Sequence, residues 1–403
     1  MASGRSTRGL DWLNFFVADM QTGFGPFVAV YLTAQGWTEF EVGMALSIGT
    51  LTAVLSQLPA GALVDTTPHK RAAALVALLA IPASALLLAI WPMGLPVIAS
   101  EVLHGVASCV LAPAIAAISL ALVGRAALGE RLGRNARYAA VGNGLAAAAL
   151  GAAGTYLSGA SVFWLTAILA IPSLVALTVI RGEDLRPRLP ATDSHEGPGL
   201  HGLLDLLRQR GVVVFAICCG LFTLANAAML PLAGTEVTRN AGEEANLIIA
   251  ACIVLPQLVV ALISPWIGRL AERRGRRIAL LLGFGALPLR GLLLALVDDP
   301  TVLVLVQALD GISAAVLGIL LPLLASDLTQ GSNRFNLCIG VFGLSVGIGG
   351  TLSTTVAGAV ASWLGAGAAF GMLGFAGLAS FLLVLLALPE TAPLGRQPGK
   401  ATP

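Results

Sequence analysis

Five ionisable residues stand inside long apolar runs of this 403-residue chain: Asp19, Glu101, His104, Arg290 and Asp310. A charge held in hydrocarbon is costly, so such residues are functional candidates by default. Carboxyl and imidazole groups bind and release protons, and a cluster of them suits reversible proton binding better than covalent chemistry. Glu101 and His104 lie one helical turn apart, and Asp19 lies about eight residues into its run, about 12 Å deep at helical rise. Leu103-His104-Gly105 recurs as Leu309-Asp310-Gly311 at an offset of 206, so His104 and Asp310 occupy one ancestral position. The bland reading is that Asp19 and Asp310 are neutral packing residues, that His104 is a satisfied core histidine, and that Glu101 is solvated. Arg290 follows Pro288 and could instead snorkel towards Asp298.

A second group of charges sits between runs. "GALVDTTPHKR" (Gly61 to Arg71) and "GRLAERRGRR" (Gly268 to Arg277) are 207 residues apart, and each closes one apolar run and opens the next. Asn135 with Gly142 recurs as Asn336 with Gly343 at an offset of 201. Landmarks repeated in order indicate a duplicated unit of about 200 residues.

The elements that hold these residues follow from composition. Hydrophobic residues make up 57% and charged residues 11% of the chain, too little polar surface for a water-soluble globule. The net charge of +2 therefore argues for no nucleic-acid partner, and the lipid bilayer is the expected solvent. All five cysteines fall in apolar runs, which predicts no disulfide framework. Runs of about 20 residues read as membrane-spanning helices. Twelve are expected, near 11–33, 40–63, 72–91, 96–123, 138–157, 161–180, 211–234, 245–267, 278–297, 301–325, 336–360 and 366–388. The expected units are a six-helix bundle over 1–180, a cytoplasmic linker over 181–210, a second six-helix bundle over 211–389, and a cytoplasmic tail over 390–403. The first run lacks a cleavable-signal pattern. Lys and Arg fall almost wholly on one side of this scheme, with Arg239 the exception in an outer loop, which predicts cytoplasmic N- and C-termini.

With those residues in view, the chain resembles a major facilitator superfamily transporter over nearly its whole length. The hinges resemble that family's G-x-L-x-D-R-x-G-R-R signature. Gly61, Leu63, Asp65, Lys70 and Arg71 match in the first copy, with Thr66 and Pro68 departing. Gly268, Leu270, Arg273, Gly275, Arg276 and Arg277 match in the second, with Glu272 for Asp. Two other family patterns fit poorly: Glu101 and Gln307 stand where an Arg is common, and the glycine-rich run Gly142 to Gly154 has no proline. The resemblance implies an all-α membrane protein of two pseudo-symmetric six-helix bundles, with spans 1, 4, 7 and 10 lining a midplane cavity. Asp19, Gln21, Glu101, His104, Asn226 and Asp310 are the binding candidates on those spans. Gln57, Asn143, Gln257 and Arg290 are companions on neighbouring ones. The hinge acids are expected to accept from a helix N-terminus or a cytoplasmic arginine and to latch the inner gate.

The function this implies is secondary active transport of a small solute across a bacterial inner (plasma) membrane. The expected driver is the proton gradient, and the preferred direction is efflux. The expected protein is monomeric and needs no cofactor or metal. Import by proton symport is the alternative within transport, and a non-transporting membrane sensor or assembly protein is the alternative outside it. No nucleophile elbow, phosphate loop or metal-spaced cluster suggests an enzyme.

Overall fold

The computed structural model describes residues 3–185, 200–233 and 245–391, apart from 23, 25, 38, 68, 298 and 333. The described secondary structure is helical: α1 (Gly4–Thr22), α2 (Pro26–Ala34), α3 (Glu39–Thr66), α4 (Lys70–Ile90), α5 (Gly94–Val123), α6 (Leu128–Tyr156) and α7 (Gly159–Val179). After the short α8 (Leu200–Arg208) come α9 (Arg210–Asn226), α10 (Ala245–Arg274), α11 (Arg276–Leu296), α12 (Pro300–Val306), α13 (Ala308–Leu328), α14 (Phe335–Leu364) and α15 (Ala366–Ala387). α1 with α2 makes one pass and α12 with α13 another, which gives twelve passes in two sets of six.

Ten described helical segments are long and apolar enough to cross a bilayer. The first pass is split between α1 and α2, and α6 carries Arg131, Arg134 and Arg137 at one end. A search for apolar runs alone misses such extensions. α6 begins ten residues before the expected 138, and α10 continues to Arg274 rather than stopping at 267. Backbone hydrogen bonding inside the helix lets both ends project past the hydrocarbon without cost. Proline interrupts α3 at Pro59, α4 at Pro82, α10 at Pro265 and α11 at Pro288, and Pro59/Pro265 and Pro82/Pro288 are duplicated positions.

Packing repeats the duplication. In the first half α1 lies on α6 and α7, α3 on α5, and α4 on α5 and α7. In the second half α9 lies on α14 and α15, α10 on α13, and α11 on α13 and α15. The halves meet chiefly through α6 against α10 and α3 against α14. Gly105 and Gly311, the glycines of the repeated triplets, explain part of this fit. A Cβ at Gly105 would lie 3.0 Å from the Gly49 carbonyl oxygen, and one at Gly311 would lie 2.6 Å from that of Pro256. Helices in lipid associate by such close backbone approach.

Candidate functional site

A cavity of about 670 Å³ lies between the halves. α1, α5 and α6 wall it on one side, and α9, α13 and α14 on the other. Among the described residues its polar lining is neutral: Asn14, Gln21, Asn135, Asn143, Thr223 and Asn226. Leu111, Ile115, Phe222, Leu317 and Leu321 supply apolar wall. Three expected residues, Gln21, Asn143 and Asn226, therefore line one space. Asn14, Asn135 and Thr223 were not anticipated. Asn135 falls three residues before the expected span 138–157 because the polar start of α6 hides its helical register.

The described ionisable candidates, Glu101, His104, Arg290 and Asp310, are not among the lining residues and fall in separate groups. In the second half, Arg290 of α11 is fully buried and bonded inside the bundle rather than snorkelling; Asp298 lies outside the described residues. Its Nη1 donates to Asn226 Oδ1 at 2.5 Å and Asp310 Oδ1 at 2.7 Å, and its Nη2 donates to Gln307 Oε1 at 2.6 Å. The correction has a physical cause. Pairing with a carboxylate and two amide oxygens inside the bundle satisfies both Nη atoms of a guanidinium that snorkelling would leave half in lipid. Gln307, noted in sequence only as the copy of Glu101, is thus a member of the cluster.

The first half holds a different group at the equivalent depth. The His104 ring stacks on Phe24 with centroids 3.6 Å apart and planes 13° apart, and its Nε2 lies 3.4 Å from Ser108 Oγ. Its Nδ1 is buried without a hydrogen-bond partner among the described residues, as is Oε1 of Glu101. Glu101 lies over Gly49 of α3, whose missing side chain makes room for it. Neither Glu101 nor His104 is among the residues lining the cavity, and the structure does not bring His104 and Asp310 together. Asp19 lies on α1, its side chain outside the described ones. Gln57 sits at the seam between halves, under Gly340 and Gly343 of α14, and Gln257 is half-buried on α10.

The hinge residues form two matching latches. Asp65 Oδ1 accepts from the backbone N of Asn336 at 3.0 Å and from its Nδ2 at 2.7 Å, and Oδ2 accepts from Leu337 N at 2.8 Å. A carboxylate of the first half thus caps the N-terminus of α14 in the second. Glu272 Oε1 accepts from Glu130 N at 2.9 Å, at the N-terminus of α6. Of the two donors the sequence allowed, a helix N-terminus or a cytoplasmic arginine, both acids use the helix N-terminus.

The glycines set the distance. A Cβ at Gly61 would lie 3.2 Å from Leu337 Cα, and one at Gly268 would lie 3.3 Å from Glu130 Cα. Gly340 meets Leu58 at 3.3 Å, and Gly133 meets Pro265 at 3.0 Å, by the same measure. These contacts place Gly129 opposite Asn336 in the duplication, at the offset of 207 rather than at 201, so the Asn135/Asn336 match is not a structural equivalence. Lys70 Nζ donates to the carbonyls of Val64 and Asp65, and Arg276 Nη1 donates to that of Ala271 at 2.7 Å. Each cation closes the carbonyl end of the helix that bears the acid. Arg276 Nε also meets Asp327 at 3.0 Å, whereas Arg273 is exposed. Gly275 turns the chain between α10 and α11 at φ +102°, a conformation that favours glycine. Arg71 projects from the first turn of α4.

One further network was missed. Asp11 of α1, buried, receives Arg131 Nη2 at 2.5 Å and Arg134 Nε at 2.9 Å. Arg131 Nε reaches Asn135 Oδ1 at 2.7 Å, and Asn135 Nδ2 donates to Ser119 Oγ at 2.8 Å. Arginines at i and i+3 beside an early aspartate were its sequence signal.

Comparison with known proteins agrees with this architecture. A family model described as Major Facilitator Superfamily matches residues 11–255 and 241–403. Two uncharacterized MFS-type transporters of Mycobacterium tuberculosis, from strains CDC 1551 / Oshkosh and ATCC 25618 / H37Rv, are each 36% identical over 398 residues, covering 96% of this chain and 94% of theirs. The crystal structure of the human organic anion transporter MFSD10 (TETRAN) superposes with a TM-score of 0.72 at 18% sequence identity, covering 94% of this chain and 99% of that one.

Proposed function

The chain belongs to the major facilitator superfamily, a membrane-embedded secondary transporter of a small solute, and from that premise we propose that it exports an amphiphilic organic compound in exchange for protons. The observation that carries this reading is the neutral, amide-studded and largely apolar lining of the central cavity. Amides orient a solute by hydrogen bonds while the leucines and Phe222 receive its apolar part. A compound of that kind crosses bilayers unaided, so outward movement is the direction that needs energy. Rocking of the halves about the cavity provides alternating access, and the two latches hold the basic end closed in one state.

For the coupling proton the reading favours Glu101 over Asp310. Asp310 already faces Arg290, so a proton there would break an ion pair. Glu101 Oε1 has no hydrogen-bond partner among the described residues, and His104 one turn away can take or pass a proton. The reading places the protein as a monomer in the bacterial inner membrane with both termini cytoplasmic. The proton gradient takes the place of any cofactor.

The test begins with a ligand screen by thermal shift on purified protein, followed by flux in proteoliposomes under an imposed pH gradient. Glu101→Gln should lose gradient-driven flux and keep solute binding, while His104→Gln should shift the pH optimum without stopping transport. Full gradient-driven flux in Glu101→Gln would refute this assignment and move the proton to Asp19 or Asp310. Solute moving in the same direction as the protons would establish symport instead.

A further inference from the structure

A groove of about 690 Å³ opens sideways between α4 and α7 at the end of the bundle that carries the hinges. His69, Lys70 and Arg71 stand at its mouth, and Leu75, Leu79, Leu174 and Leu177 line it deeper in. Leu75 and Leu79 are 41% and 51% exposed, so the apolar wall faces outward, away from the protein core. Arg71 Nε is buried with no hydrogen-bond partner among the described residues, and Gly182 leaves space beside its guanidinium. Lys70 is already committed to the end of α3. The neighbouring acids do not fill the mouth: Glu183 is exposed, and Asp184 accepts from Ser3 Oγ at 2.7 Å and Ser6 Oγ at 2.6 Å.

We propose that this groove holds an anionic phospholipid of the adjoining leaflet, its phosphate on Arg71 and His69 and one acyl chain along the leucines. The spacing fits an amphiphile with a charged head and an apolar tail. Leu75 and Leu79 lie about 6 Å and about 12 Å deeper along α4 than Arg71, where acyl carbons replace headgroups. A free phosphate would use the cations and leave the leucine wall without purpose. The duplicated position supplies an internal contrast. Arg277, the counterpart of Arg71, likewise has a buried Nε without a partner among the described residues, but its Nη2 donates to the Leu385 carbonyl and Glu390 accepts from its backbone N at 3.2 Å. The second half thus gives its guanidinium a carbonyl of its own chain, whereas Arg71 has no such bond among the described residues. The inference is independent of substrate and of coupling.

Native mass spectrometry of detergent-purified protein, offered equal phosphatidylglycerol and phosphatidylcholine, reads the site directly. The parent should retain phosphatidylglycerol preferentially. Arg71→Gln with His69→Gln should reduce that retention by about fivefold or more through the lost arginine charge, and Arg71→Lys should keep the preference. Leu75→Trp fills the tail groove and leaves every cation in place, and it too should lose the lipid. Glycerol 3-phosphate, the headgroup without a tail, should not compete at equal concentration. Undiminished retention in a double variant whose unfolding temperature in phosphatidylcholine matches the parent would overturn the proposal. If that variant does not fold, unchanged retention in Leu75→Trp overturns it, as does equal competition by glycerol 3-phosphate.

Discussion

The two halves place different chemistry at one ancestral depth. Glu101 and His104 in α5 correspond to Gln307 and Asp310 at the α12–α13 junction, and Ser84 of α4 corresponds to Arg290 of α11. In the second half a buried guanidinium binds Asp310, Gln307 and Asn226 together. In the first half no arginine was gained. Ser84 donates to the Ile81 carbonyl of its own helix, while Glu101 Oε1 and His104 Nδ1 lack partners among the described residues. Over the common frame of the duplication, one half thus holds its charges in an ion pair and the other holds a carboxyl and an imidazole with atoms unpartnered among the described residues.

The largest expected effect breaks the fixed half. Arg290→Met leaves the half-buried Asp310 without its counter-charge and should cost up to about 3 kcal/mol of stability. Thermal unfolding in detergent checks this, and adding Asp310→Asn should restore part of the loss by removing the unpaired charge. Glu101→Gln, by contrast, removes no observed ion pair and should unfold near the parent temperature. Equal losses in the two variants would erase the distinction between the halves.

Much of this contrast was legible in the sequence, and the limits are physical. Asp310, His104 and Glu101 stood out because hydrocarbon makes charge conspicuous, and the hinge copies stood out because glycine, acid and cation recur together. The direction of Arg290 was not legible. A guanidinium on a long stem reaches lipid headgroups or a carboxylate two helices away equally well, and packing decides. The beginning of α6 was hidden for the opposite reason. Arg131, Arg134 and Asn135 look like loop residues until Asp11, distant in sequence, accounts for them. The cavity lining was half legible, because amides advertise themselves less than charges.

The latches sharpen the comparison at intermediate magnitude. Asp65 is buried and accepts three hydrogen bonds from the first residues of α14, whereas Glu272 is half-buried and accepts from the backbone N of Glu130 at 2.9 Å. Charge-assisted bonds of this kind contribute about 1.5–3 kcal/mol each when buried. Asp65→Asn should therefore shift the population towards the state open at the basic end more than Glu272→Gln does. Inter-half distance distributions from paired spin labels measure both shifts. A larger shift in Glu272→Gln would reverse the ranking and make α6–α10 the dominant gate.

The smallest effect concerns the acids that follow the last pass of each half, Asp184 and Glu390, which are again duplicated positions. Glu390 caps the start of α11 through the backbone N of Arg276 at 2.8 Å and of Arg277 at 3.2 Å. Asp184 ties α7 back to the start of α1, and the hydroxyls of Ser6 and then Ser3 hold its carboxyl below the ordinary aspartate range. Because the folded value is depressed, this contribution is complete above the ordinary range and is lost as pH falls through the lowered value. Asp184→Asn should thus be slightly less stable than the parent at neutral pH, with the gap closing only in strong acid. Glu390→Gln should cost more, since two backbone donors at the first turn of α11 lose a charged acceptor. Unfolding temperatures of both variants across the acid range check the order, and a larger loss in Asp184→Asn at neutral pH would show that the exposed tie, not the capped helix, secures its half.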